Sequence, residues 1–339
     1  MDLLTQGLLG GVLATSIAGR KEARSAAIVG FAAALLADAD VFISASDDTL
    51  LNVEFHRHFT HSLIFIPVGA LLATLMLWPV LRKRLGFRRI YWYALLGYAT
   101  SGLLDACTSY GTQLLWPFSD TRVAWSIIAI VDPVFSVTLL IALILGFKYC
   151  KPKPARIGLG LAGAYLLLGL WQHQSALQSA VELAESRGHP VERILVKPTM
   201  ANLVLWRSVY QSGDRFYVDA IRVGLASTRI YGGESVALFD PKRDLAGLEP
   251  ESMLADDIDR FWKLADGYVV ADPTRTRVLT DIRYSMLPTG TTPMWGIDLN
   301  VASASQHARF EVYRDRPEQA RELFTAMLLG RDLPAKEAN

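Results

Sequence analysis

Seven acidic or histidine side chains stand where the chain is otherwise apolar. Asp38 and Asp40 close the run Ser25–Leu36, and His56, His58 and His61 stand just ahead of the run Leu63–Leu81. Asp105 follows Tyr91–Leu104, and Asp132 interrupts Ile127–Phe147. Ionisable groups are costly in hydrocarbon and turn toward a bundle interior, where they pair or bind something. Imidazole and carboxylate together suit a borderline divalent cation, zinc first and manganese next. Such a cation with an open coordination position activates water, so the chemistry these residues suggest is hydrolysis. His56 and His61, five residues apart, fit a junction of loop and helix better than one helical face. Asp38 and Asp40, two apart, fit a helix end that leaves regular α geometry.

Each group also has a plainer reading. Asp132 followed by Pro133 fits an N-cap with proline at the first helical position, a role that does not exclude ligation. Asp38 and Asp40 fit solvated interfacial residues, Asp105 a structural acceptor for nearby hydroxyls, and His58 an imidazole in a polar loop. Trp78, Trp92, Trp116 and Trp125 read as interfacial anchors.

The elements that must position these groups follow from hydropathy. A mean hydropathy of +0.25 hides an asymmetry. Residues 1–172 are rich in Leu, Ala, Ile, Val and Gly, whereas 173–339 have the composition of a soluble domain. Leu63–Leu81, Tyr91–Leu104, Ile127–Phe147 and Ile157–Trp171 match, or nearly match, a hydrocarbon core of about 30 Å. Leu3–Ala18 is glycine-rich and Ser25–Ile43 carries two aspartates, so these two read as a hairpin packed inside the bundle. The fold expected is an α-helical membrane bundle of about six segments followed by a soluble α+β domain. A net charge of +1 argues against a nucleic-acid partner. Cys107 and Cys150 fall toward opposite membrane faces, which suggests no disulfide. The first residues lack a basic stretch, so no cleavable signal peptide is expected.

Basic residues set the orientation. Arg20, Lys21 and Arg24 form one cluster, Arg82, Lys83, Arg84, Arg88 and Arg89 a second, and Lys148, Lys151, Lys153 and Arg156 a third. The positive-inside rule puts all three in the cytoplasm, and they alternate correctly with the six segments. Asp38, Asp40, His56, His61, Asp105 and Asp132 then share the outer leaflet, although none of them was used to set the topology. Thr60, Ser62, Thr108 and Ser109 are candidates to orient ligands, and Arg57 is a candidate to clamp a phosphate.

Five runs carry a resemblance: Met1-Asp2-Leu3-Leu4-Thr5-Gln6, Ala37-Asp38-Ala39-Asp40, His56-Arg57-His58-Phe59-Thr60-His61-Ser62, Leu104-Asp105 through Gln113, and Trp116-Pro117-Phe118. Together they resemble the YdjM/YfhP-type family of inner-membrane metal-dependent hydrolases across most of residues 1–150. Lys197-Pro198-Thr199, Leu205-Trp206-Arg207 and Thr280-Asp281-Ile282-Arg283-Tyr284 are similar to the longer members, which add a C-terminal soluble domain. A distant relation to zinc phospholipase C and P1-nuclease enzymes implies metal-assisted phosphoester hydrolysis. The matching positions are Asp38, Asp40, His56, His61, Asp105 and Asp132 as ligands, with Asp38, Arg57 and Asp132 in the catalytic machinery. Two positions depart from the pattern: Gln6 and Ser101 stand where many members have histidine.

In the soluble half, Asn202–Tyr210, Arg215–Gly224, Arg277–Ser285 and Ala308–Tyr313 read as strands. Ser175–Ser186, Pro250–Ala265 and Pro317–Leu329 read as helices. Trp206, Arg207, Trp262, Asp281, Arg283 and Trp295 are its candidate site formers, and the topology places the domain outside the membrane as a cap. The leading reading is a membrane hydrolase acting on a lipid or lipid-linked phosphate. The alternatives are an ion-binding transporter, against which the lack of an inverted repeat argues, and a scaffold that has lost its metal with the histidine at 101.

Overall fold

Small residues decide how the first helices meet. In the computed structural model, which describes residues 1–224, 227–245, 247–301, 303, 305–313 and 318–334, α1 (Leu3–Ile17) and α2 (Ala23–Leu36) cross through Gly10 and Gly30. A methyl group on Gly30 would lie 2.3 Å from the Gly10 carbonyl oxygen, and one on Gly97 would lie 2.3 Å from the Gly30 carbonyl oxygen. Three helix backbones therefore touch where any side chain would separate them. Asp2 caps α1 by accepting the Thr5 N–H at 3.0 Å.

The chain forms two compact units. The first comprises Met1–Ile43, Phe55–Trp171 and Met200–Leu203. The second comprises Ser44–Glu54, Gln172–Thr199 and Val204–Asn339. In the first unit α2 tightens into a 3₁₀ helix, Ala37–Phe42, that carries Asp38 and Asp40. After α3 (Leu50–Phe55), two 3₁₀ turns, Phe59–His61 and Leu63–Phe65, lead into α4 (Ile66–Leu81). Then come α5 (Phe87–Ala106), α6 (Pro133–Tyr149) and α7 (Pro152–Ser186). Two cores hold this unit, one around Leu8, Val12, Phe135 and Leu139, the other around Ala33, Ala73, Tyr93 and Ala94.

Ala23–Phe42, Leu63–Leu81 and Pro152–Ser186 are long and apolar enough to cross a membrane, while Leu3–Ile17 and Pro133–Tyr149 are apolar but shorter. Two expected boundaries move. The expected helix Ile127–Phe147 begins only at Pro133, because Asp132 caps it and proline offers no N–H to an earlier turn. The expected separate helices Ile157–Trp171 and Ser175–Ser186 are one helix of 35 residues. Gln172, His173 and Gln174 join them, and no glycine or proline breaks the ladder there.

The second unit contains two antiparallel sheets, each with strands in chain order. The first is β1 (Arg193–Pro198), β2 (Leu205–Ser212), β3 (Arg215–Val223) and β4 (Thr228–Ala237). After α8 (Pro241–Asp244) and α9 (Met253–Leu264) come β5 (Val269–Ala271), β6 (Val278–Asp281), β7 (Trp295–Asp298) and β8 (Arg309–Val312), then α10 (Glu318–Leu329). Ser252 caps α9, whose Leu254, Ile258 and Phe261 pack with Leu50, Leu279 and Ile297. β1, β4, β5 and β7 were absent from the sequence reading. β1 ends in proline and begins in arginine, and β4 carries Gly232-Gly233, so neither shows a clean alternation of apolar and polar residues.

A candidate metal centre in the helical unit

The two aspartates of the 3₁₀ helix owe their reach to that geometry. Asp38 and Asp40 are two residues apart, and both are buried. Asp40 organises the turn ahead of α4. Its Oδ2 accepts the Arg57 N–H and the Thr60 hydroxyl, each at 2.9 Å. Its Oδ1 lies 3.2 Å from His56 Nδ1. Arg57 adopts a left-handed φ of 59°, which aims that N–H at Asp40. Such a conformation costs a non-glycine residue about 1–2 kcal/mol and is kept where the surroundings enforce it.

His61 is the centre of the arrangement and is 1 % exposed. Its Nε2 lies 3.2 Å from Asp105 Oδ2 and 3.6 Å from Asp38 Oδ1, and its Nδ1 lies 3.4 Å from Asp40 Oδ2. Burial alone would lower this imidazole, but its bonds to Asp105, Asp38 and Asp40 push it up to about 10. Thr60 Oγ1 is 3.0 Å from His61 Nδ1. Because that hydroxyl already donates to Asp40, it accepts from Nδ1–H, which leaves Nε2 facing Asp38 and Asp105. The backbone is pinned as well. Tyr98 donates its hydroxyl to the Thr60 carbonyl at 2.8 Å, and Leu63 N–H donates to the Leu114 carbonyl at 2.9 Å. Gly102 of α5 lies so near that a methyl there would meet the His61 carbonyl oxygen at 2.2 Å.

Asp105, fully buried near the end of α5, accepts Gln6 Nε2 at 2.9 Å and lies 3.2 Å from Arg57 Nε. The amino group of Met1 also bonds to it. Two trios of ligand atoms result, Asp38–His61–Asp105 and Asp38–Asp40–His56, each within 4.8 Å of one another. Asp38 belongs to both. The donor set is that of a borderline divalent cation. Among the described residues, Gln6 Oε1 and Asp38 Oδ2 are buried without a hydrogen-bond partner. Buried polar atoms are ordinarily satisfied, so orphaned oxygens in a carboxylate cluster fit residues arranged for a cation.

Other expected residues lie differently. Asp132 is in neither trio. Its Oδ1 caps α6 by accepting the Phe135 N–H at 3.0 Å, and its Oδ2 accepts the Tyr165 hydroxyl of α7 at 2.9 Å. Arg57 is 3 % exposed, donates to Thr108 Oγ1 at 2.9 Å and lies 5.2 Å above the Tyr110 ring. His58 packs its ring near Phe55, Phe59 and Trp116. Ser101 gives its hydroxyl to the Ala34 carbonyl at 2.8 Å, joining α5 to α2.

Sequence reasoning passed over Arg122. Its Nη1 donates to the His56 carbonyl at 3.1 Å, its guanidinium lies 5.8 Å from the Tyr110 ring centre, and it is partly exposed. A third trio, Asp48–Asp257–His307, lies in the second unit. There Arg260 pairs with Asp48 at 2.9 Å and with Asp257 at 2.8 Å.

Residues 1–176 match the sequence model of the family described as YdjM inner membrane protein. The uncharacterized protein YfhP of Bacillus subtilis (strain 168) is 27 % identical over 165 residues, covering 48 % of this chain and 49 % of YfhP. The chain thus spans about half the length of the curated relative it matches. No solved structure matches it.

Proposed function

The chain belongs to the YdjM inner membrane protein family, and on that premise we propose that it is a membrane-bound, metal-dependent phosphoester hydrolase. The observation that carries this reading is the pair of ligand trios sharing Asp38, one buried and one half-open at His56. Asp38, His61 and Asp105 would hold one divalent cation, and Asp38, Asp40 and His56 a second, with zinc the first choice and manganese the next. The cations supply Lewis acidity toward a phosphoryl oxygen and toward water.

The chain's own residues orient this set. Thr60 fixes Asp40 and the His61 tautomer through one hydroxyl. Arg57 offsets the charge of Asp105, and the Gln6 amide donates to it and holds it in place. His56, with 31 % of its side chain exposed, marks the accessible side of the pair. Arg122 donates to the His56 carbonyl, which supports this guanidinium as a candidate to meet a substrate phosphate beside Arg57.

Six membrane segments with the three basic loops in the cytoplasm put the trios at the outer leaflet and the C-terminal domain outside. A lipid or lipid-linked phosphate is the substrate class that reaches a site at that depth. The test is phosphate release from phospholipid and lipid-phosphate substrates by zinc- or manganese-reconstituted protein in detergent. Turnover by the wild type, abolished in Asp38→Asn, supports the reading. A metal-loaded protein that hydrolyses none of these substrates contradicts it.

A further inference from the structure

The helices that carry residues of the candidate metal centre end, at their far side, in the basic clusters. Gln6 on α1, Asp38 just beyond α2 and Asp105 on α5 lie at one end of the helical unit, whereas Ile17, Ala23 and Phe87 bound the same helices at the other. In the basic stretches 18–24, 82–89 and 147–156 the only carboxylate is Glu22. That carboxylate is engaged, since it accepts the Tyr93 hydroxyl at 2.6 Å and lies 3.8 Å from Arg89 Nη1. The other cations of this end have no acid among them.

Two of these cations are fixed in place. Arg24, near the start of α2, donates its Nε–H to the Phe147 carbonyl at 3.2 Å, with its guanidinium 5.5 Å from the centre of the Phe147 ring. Arg156, near the start of α7, donates its Nε–H to the Ser16 carbonyl at 2.8 Å. The two acceptors are neighbours, because α1 and α6 touch one residue before each of them. A methyl on Gly146 would stand 3.1 Å from Thr15 Cγ2. Both guanidiniums therefore hang from adjoining helix ends. Interaction with the last carbonyls of a helix accounts for the Nε bonds. It does not use the Nη groups, which have no acceptor among the described residues although both side chains are exposed. A guanidinium fork matches the oxygens of a phosphate, and two forks are held here with no carboxylate to compete.

The surface beside them is apolar. Val137, Ile141 and Ile144 of α6, spaced four and three residues apart on one face, are exposed, and so are Phe147, Tyr149 and Ile17 at the basic end. A ligand that satisfies both features is anionic at its head and apolar beyond it. We propose that Arg24 and Arg156 form a binding site for the phosphodiester headgroup of an anionic phospholipid. The headgroup phosphate supplies the acceptors that the Nη groups lack, and its acyl chains follow the exposed face of α6. Anionic headgroups are also drawn to the surrounding lysines and arginines. The site is separate from the metal centre and does not depend on hydrolysis there.

The test is native mass spectrometry of the full chain in non-ionic detergent, titrated with phosphatidylglycerol or with phosphatidylcholine of the same acyl chains. The wild type should retain phosphatidylglycerol about ten-fold better, the worth of a charge-assisted hydrogen bond. Arg24→Gln and Arg156→Gln should each remove most of that preference. Lys83→Gln, which deletes an exposed charge from the loop between α4 and α5, should leave it unchanged. Arg24→Lys keeps the charge but not the fork, so it should lose the preference too, and it reads the site if the glutamine variant fails to fold. Equal retention of the two lipids by the wild type would overturn the proposal. So would a Lys83→Gln effect as large as that of Arg24→Gln, which would show diffuse attraction only. Displacement of the lipid by an equal concentration of inorganic phosphate would overturn it as well, in favour of a soluble phosphate.

Discussion

Replacing Gly102 by alanine tests the geometry of the centre without touching a ligand. The new methyl carbon would stand 2.2 Å from the His61 carbonyl oxygen, a backbone atom that cannot rotate away. Reaching the 3.0 Å below which real contacts essentially never go takes a displacement of roughly 0.8 Å. His61 Nε2 now sits 3.2 Å from Asp105 and 3.6 Å from Asp38. Metal–ligand distances tolerate only about 0.2 Å, so moving the His61 backbone by several times that amount breaks the first trio. Displacements of this indirect kind cost about 10–100-fold in metal affinity, and overpacking costs about 1–3 kcal/mol of stability. The assay is zinc titration by calorimetry of detergent-purified protein, with Gly163→Ala as control, since nothing lies within 4 Å of that position. Wild-type zinc affinity in a folded Gly102→Ala protein would refute the account of how His61 is held.

Three further outcomes follow from other contacts. Asp132→Ala removes the α6 cap and orphans the Tyr165 hydroxyl, so thermal melting should show about 0.5–2 kcal/mol lost with metal content unchanged; loss of metal would make Asp132 a ligand after all. Arg122→Ala should raise KM for a phosphoester by about 10–100-fold, the worth of a charge-assisted hydrogen bond, leaving metal content and kcat near wild type; an unchanged KM would remove Arg122 from substrate binding. Lys197 is held below its ordinary 10.5 in the folded unit, so that unit binds fewer protons than the unfolded chain, and stability rises as pH approaches 10.5. Denaturation should show a slope of up to about 1.4 kcal/mol per pH unit that Lys197→Met flattens; equal slopes would contradict an amine held low by burial.

The cluster was partly legible because carboxylates and imidazoles at the ends of apolar runs stand out by their cost alone. Asp38, Asp40, His56, His61 and Asp105, which the sequence marks this way, fall into the two trios that share Asp38. Asp132 gives the same signal outside both trios, where a helix end needs a cap whether or not a cation is near. Gln6 read only as a departure from a motif. Its contact with Asp105 spans 99 residues, a separation that no local pattern encodes. Gly102 and Arg122 were missed for the same reason, since one matters through a backbone on another element and the other through a carbonyl 66 residues away. In the second unit, strands with charged ends or paired glycines carry no clean alternation of apolar and polar residues. The 35-residue α7 was divided because its composition, not its backbone, changes near Gln172.

Metal stoichiometry tests the central claim most directly. Elemental analysis of protein reconstituted with zinc or manganese should find about two equivalents in the wild type. His56→Ala and Asp105→Ala should each retain about one, and Asp38→Asn close to none, because Asp38 alone serves both trios. A wild type that binds no metal after reconstitution, or an Asp38→Asn protein that binds as much as the wild type, would contradict the account.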